Sequence, residues 1–112
     1  MATEQGTVDD LLERLADAGR VTARKMFGEY CLYLEEKPVA LVCDGELFVK
    51  PTAAARKLVP HAAEGPPYRG AKPHLRFAYE QWTDRETLCR LLRATFEELP
   101  AAKPRKSRAK RK

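Results

Sequence analysis

Two residues, Asp44 and Gly45, constrain this chain more than any others. They separate two short apolar runs, residues 39–43 (VALVC) and 46–50 (ELFVK). An Asp-Gly pair flanked in this way signals a two-residue hairpin, because both central positions of that turn need φ > 0. A third run, residues 30–34 (YCLYL), precedes Glu35-Glu36-Lys37-Pro38, which reads as a turn. A meander of three antiparallel strands follows. The connections are too short for the crossovers of a parallel sheet. The middle strand is apolar on both faces, as suits a central strand covered on at least one side.

Helical spacing flanks the meander. Leu11, Leu12, Leu15 and Ala16 form one stripe. Thr7 reads as its N-cap, Asp9 and Asp10 fall where the helix dipole favours acids, and Gly19 reads as the residue past its end. This predicts a helix over residues 8–18. Residues 21–29 (VTARKMFGE) read as a link into the sheet, broken at Gly28. Thr52 caps a short helix over 53–59, stopped by Pro60. Residues 60–74 are rich in Pro and Gly and read as a long irregular loop, of the kind that is often functional or mobile. Residues 75–79 (LRFAY) read as a fourth strand. Thr83 and Glu86 have the spacing of a capping box. Leu88, Leu91, Leu92, Thr95, Phe96 and Leu99 then carry an apolar stripe to Pro100.

The expected fold class is α+β: an antiparallel meander sheet of about four strands, with N- and C-terminal helices packed on one face. Residues 46–50 or 75–79 are the expected exposed edges, through which the chain could pair across a two-fold. Monomer or homodimer is the expected state.

The chain has 112 residues, enough for one domain, with a core from 13 Leu, 6 Val and 9 aromatics. The formal net charge of +5 is a property of the tail. Residues 101–112 (AAKPRKSRAKRK) hold seven Lys or Arg and no acid, leaving residues 1–100 with 14 basic and 16 acidic groups. The expected organisation is one domain over 1–100 and a disordered basic tail over 101–112. The N-terminus, MATEQGTVDDLL, has neither the basic nor the apolar region of a secretory signal, and no run approaches the ~20 apolar residues of a membrane span. A cytoplasmic protein without a membrane partner is expected.

Chemistry-bearing motifs are sparse. Cys31, Cys43 and Cys89 are an odd number, without a C-x-x-C pair, and His61 and His74 are the two histidines. A metal site would have to gather them from five separate places, so none is expected, and the cysteines read as reduced, buried small hydrophobes. There is no G-x-S-x-G, Gly-rich phosphate loop or H-E-x-x-H. Cys31 or Cys89 with His74 is the remaining catalytic pairing, but both cysteines sit in core-like patterns. No enzyme, catalytic residue or cofactor is expected.

Three segments carry the candidate binding residues. In Arg24-Lys25-Met26-Phe27-Gly28, a structural reading puts Met26 and Phe27 in the core and uses Gly28 for a sharp turn. A functional reading sets Arg24 and Lys25, joined by Lys50, beside a groove that receives a phosphate or carboxylate. In the loop, Tyr68, Arg69, Lys72 and His74, with Arg76 next, mix cations and rings in a way that suits nucleic acid or any solvated loop. In the tail, Lys103, Arg105, Lys106, Arg108, Lys110, Arg111 and Lys112 attract polyanions without sequence preference.

The segment VTARKMFGEYCLYLEEKPVALVCDGELFVKPT resembles the N-terminal domain of the TfoX/Sxy family, which includes bacterial regulators of natural competence. The matching residues are Thr22-Ala23-Arg24, Met26-Phe27-Gly28, Tyr33-Leu34, Asp44-Gly45-Glu46-Leu47 and Lys50, with Tyr68 and the C-terminal helix fitting as well. The resemblance covers roughly residues 8–98. It implies an α+β domain with no catalytic residues to carry over, here standing alone before a basic tail. The expected function is a non-enzymatic accessory or regulatory domain. It would bind a partner protein such as a transcription factor, with nonspecific nucleic-acid attraction through the tail and through Arg24, Lys25, Arg69, Lys72 and Arg76. The alternative is a small-ligand or protein-interaction module without a nucleic-acid role, its pocket shaped by the meander and the long loop.

Overall fold

A computed structural model describes residues 4–26 and 29–99. Phe27, Gly28 and the basic tail lie outside the described residues. In chain order the elements are α1 (Gln5–Arg14), β1 (Val21–Met26), β2 (Glu29–Leu34), β3 (Lys37–Cys43), β4 (Glu46–Val49), α2 (Ala53–Leu58), β5 (Ala63–Gly65), β6 (His74–Phe77) and α3 (Arg85–Glu98). Single 3₁₀ turns follow α1 (Ala16–Ala18) and precede α3 (Tyr79–Thr83). The fold is α+β. The six strands form one antiparallel sheet in the order β1-β2-β3-β4-β6-β5.

Both meander turns use left-handed backbone. Asp44 and Gly45 have φ of 57° and 75°, and Cys43 pairs with Glu46 across them. The turn from β2 to β3 is also two residues long, with Leu34 opposite Lys37. There Glu35 and Glu36 hold φ of 48° and 78° without a glycine. Arg20 pins this turn. Its carbonyl accepts from the Glu35 N–H at 3.0 Å, its own N–H donates to Glu35 Oε2 at 2.9 Å, and its guanidinium meets Glu36 at 3.2 Å. Gly19 lies beneath with φ of 138°, and a Cβ there would sit 3.0 Å from Leu34 Cδ1 and 3.1 Å from Glu35 Oε2.

Two strands were not expected. Residues 21–26 form β1 rather than a link, and three residues of the long loop form β5. Val21 and Ala23 do alternate inwards, but the cations at 24 and 25 break the apolar pattern of an outer strand with one neighbour. These two strands are the sheet edges. β5 pairs with β6, and β4 lies between β3 and β6, so the strands within residues 46–50 and 75–79 are interior, contrary to expectation.

Register sorts the side chains. Ala23, Leu32, Ala40, Val49 and Leu75 form one row across five strands, and Tyr30, Val42, Leu47 and Phe77 form a second on the same face. Against these rows pack Val8 and Leu11 of α1 and Leu88, Leu91 and Leu92 of α3, all buried. Trp82 is fully buried beside them, its Nε1–H donating to the Phe77 carbonyl at 3.1 Å.

Helix ends differ from expectation by a few residues. The N-cap of α1 is Glu4, and Thr7 lies inside the first turn, donating its N–H to the Glu4 carbonyl. α1 stops at Arg14 and tightens into the 3₁₀ turn before Gly19. The N-cap of α3 is Asp84, not Thr83; its carboxylate accepts from Thr87 N at 3.2 Å and Thr87 Oγ1 at 2.7 Å. Thr52 caps α2 by accepting from Ala55 N at 3.1 Å. Glu98 of α3 adds to that cap, accepting from Ala53 N at 3.0 Å and Ala54 N at 2.8 Å. At this same C-terminal end of α3, the Lys37 ammonium donates to the carbonyls of Phe96 and Leu99 at 3.0 and 3.1 Å. Among the described residues, no helix is long and apolar enough to cross a membrane.

Candidate binding face

The helices pack on one side of the sheet, and the opposite parity of every strand forms a second face. Its central row reads Arg24, Cys31, Leu41, Phe48 and Arg76. Cysteine, leucine and phenylalanine are buried or half-buried there, between a cation on each flank. At one end of this face, Met26, Glu29, Tyr30, Leu41, Cys43 and Tyr68 line a cleft of about 400 Å³. Its walls are mainly apolar. Met26 is 44% exposed and Tyr68 62% exposed, so two large apolar groups meet water at its rim. The meander supplies one wall and the long loop the other.

Beside β1 on the same face, Thr22, Arg24, Tyr33 and Glu36 line a polar recess of about 450 Å³. The Arg24 guanidinium lies 5.1 Å from the Tyr33 ring centroid, a cation–π distance. Lys25 does not join it. Adjacent strand residues point to opposite faces, and Lys25 pairs with Tyr30 on the helix side of the sheet. The grouping of Arg24 with Lys25 in one groove is therefore corrected. Lys50 follows Val49 of the helix-side row by one residue and continues the ladder by donating its N–H to the Val39 carbonyl, so strand alternation puts it on the Arg24 side. Met26 is also corrected: it lines the cleft rather than entering the core.

The loop cations stand apart from this recess. Arg69 and Lys72 are exposed. Arg76 is held by Glu46 at 3.1 Å. His74 donates from Nδ1 to the Lys72 carbonyl at 2.8 Å. Asp44 and Gly45 are turn residues beside the cleft, where the Asp44 N–H donates to the Glu29 carboxylate at 3.3 Å.

All three cysteines are free and buried. Burial pushes each thiol up. Cys43 reaches about 11, with Glu29 and Asp44 adding to the effect of burial. For Cys31 the Tyr33 hydrogen bond, Lys50 and Arg24 oppose burial without overcoming it. Cys89 is raised by burial and by Asp17, and its thiol donates to the Arg14 carbonyl at 3.6 Å. Protonated thiols are poor nucleophiles and poor metal ligands. Among the described residues, no group of three or more His, Cys, Asp or Glu is placed to hold a metal ion.

Tyr33 and the cleft residues Leu41 and Cys43 escaped the sequence reading as binding groups. The signal was present in the parity of the strands, because Arg24 and Tyr33 share one face once residues 21–26 are read as a strand.

The profile of the family described as TfoX N-terminal domain matches residues 13–99. A relative from Spirochaeta aurantia, named "Uncharacterized 12.7 kDa protein in trpE 5'region", is 37% identical over 110 residues, which cover 98% of this chain and 95% of that protein. The chain belongs to the TfoX N-terminal domain family.

Proposed function

We propose that this chain is a non-enzymatic accessory or regulatory domain that binds a partner protein at the cleft rimmed by Met26 and Tyr68. The observation that carries the reading is the exposure of these two large apolar side chains at one apolar cleft on the helix-free face. Clustered apolar exposure is the usual mark of an interaction site, whereas single exposed apolar residues are ordinary. The non-enzymatic part is supported by the buried, protonated thiols. The basic tail adds nonspecific attraction to nucleic acid, and a partner such as a transcription factor fits that attraction. The protein acts in the cytoplasm in this reading.

Fluorescence anisotropy across a salt series tests the tail. If all seven tail cations neutralise phosphates, log K falls with log salt at a slope of about −6. Residues 1–100 alone then bind far more weakly. Equal binding by both lengths would move the attraction to Arg24, Arg69 and Lys72. Absence of binding by either would remove nucleic acid from the reading.

A second reading, a small apolar ligand in the same cleft, is favoured by the cleft's size of about 400 Å³, within the range of small-molecule sites. Leu41→Trp separates the two. It fills the cleft and abolishes ligand binding, while a partner that engages the exposed Met26 and Tyr68 rim is retained.

A further inference from the structure

The two edges of the sheet are unlike. The β5 edge is three residues long and is followed by Pro66 and Pro67, which cannot donate to a new strand. The β1 edge is six residues long, without proline, and its register against β2 is unbroken. The Glu35 N–H donates to the Arg20 carbonyl, which fixes the hydrogen-bonding parity of this ladder. In an antiparallel pair, inward and outward residues alternate. Val21, Ala23 and Lys25 therefore turn their backbone N–H and C=O groups outwards. Among the described residues, these three donor–acceptor pairs are open to another strand.

Charge selects what can pair there. Arg24 lies on the helix-free side of β1 and Lys25 on the helix side. Both are exposed, and among the described residues neither forms an ion pair. Arg20 is already engaged by Glu35 and Glu36. A second copy of β1 fits poorly. Two-fold pairing about Arg24 sets the arginines directly opposite, which destabilises a ladder. Pairing about Ala23 places two Arg24 and two Lys25 side chains in one short ribbon.

We infer that the β1 edge receives an extended acidic segment of a partner protein as a seventh, antiparallel strand. Adjacent acids of that segment sit opposite Lys25 and Arg24, one on each face. Apolar residues sit opposite Met26, Ala23 and Val21. The end of the segment beside Met26 leads to the cleft, so one partner engages both. This rests on the partner-binding reading above and names the chemistry of the partner.

The test uses the full chain and a synthetic peptide, acetyl-Val-Glu-Glu-Val-Thr-Val-amide, with a control carrying Lys for Glu. Amide exchange is followed residue by residue by NMR, which distinguishes the edge from the cationic tail. Saturating acidic peptide is expected to slow exchange at Val21, Ala23 and Lys25 by about tenfold or more, and the Lys peptide not at all. Ala23→Pro removes one outward donor and should abolish the protection. Arg24→Glu with Lys25→Glu should transfer it to the Lys peptide, which keeps the test decisive if the proline variant fails to fold. Equal protection by both peptides, or protection absent from the three amides, overturns the inference. So does a dimer in the free protein with these amides already protected, or a single-stranded oligonucleotide that protects them in place of the peptide. A silent edge combined with a partner lost on Met26→Glu would reject the added strand while sparing the cleft.

Discussion

Met26 ends an edge strand and Tyr68 stands in the long loop after β5, yet the two side chains line one cleft. The loop thus returns across the face that the helices leave uncovered. This relationship separates binding from stability. Met26→Glu and Tyr68→Ser act on exposed groups, so each should change unfolding free energy by no more than about 0.5 kcal/mol. Urea unfolding checks this. A loss of several kcal/mol in either variant would make the two residues part of the core.

Arg24 offers a parallel test. Its guanidinium stacks on Tyr33 at an exposed site, where such contacts are worth about 0.5–1 kcal/mol. Arg24→Ala should cost no more than that in thermal or urea unfolding. A larger loss would identify Arg24 as structural.

Glu36 holds a left-handed φ of 78° that glycine adopts freely. Glu36→Gly removes that strain and loses only an exposed pair with Arg20. Stability should rise by about 0.5–1 kcal/mol, read as a higher urea midpoint with an unchanged slope. Gly19→Ala should do the opposite, by about 2 kcal/mol or more, because its φ is also positive and its new Cβ meets Leu34 and Glu35.

The Thr95 hydroxyl is buried in α3 without a hydrogen-bond partner among the described residues. Thr95→Val keeps the shape and removes the unsatisfied group, and should stabilise by about 1 kcal/mol. Destabilisation on calorimetry would mean that the hydroxyl has a partner in solution.

Acid should loosen the two helix N-termini. The Asp84 carboxyl is held below its ordinary 3.8 by the Thr87 side chain and N–H. Glu98 is held below its ordinary 4.5 by the N–H groups of Ala54 and Ala53. A carboxyl lowered on folding stabilises above its unfolded pKa, and that stability is lost as pH falls through the folded value. Unfolding midpoints should therefore decline as pH drops below about 4.5, and less steeply in Glu98→Gln. An identical acid profile in the variant would show that Glu98 does not cap α2 in solution.

Legibility in the sequence followed the strength of local signals. The Asp44-Gly45 turn, the Thr52 cap and the α3 stripe all formed near their expected places, because each rests on residues within one turn of chain. β1 was hidden because an outer strand bearing Arg24 and Lys25 shows little alternation. β5 was hidden because three residues, Ala-Glu-Gly, carry no pattern at all. Losing these edges misplaced the exposed strands. A pocket where meander and loop meet, with Tyr68 in that loop, is legible in the sequence, but the strand residues that line it are not. Leu41 and Cys43 are ordinary strand residues until register sets them on one face and the loop brings Tyr68 beside them.

Site-specific photo-crosslinking in the native cell reads out whether a partner is held at the Met26–Tyr68 cleft. A benzophenone amino acid replaces Tyr68 in one protein and Glu86, exposed on α3, in another. A discrete adduct at position 68 is expected, lost when Met26→Glu is added, with none at position 86. No adduct at 68, or the same adduct from both positions, would contradict partner binding at this cleft.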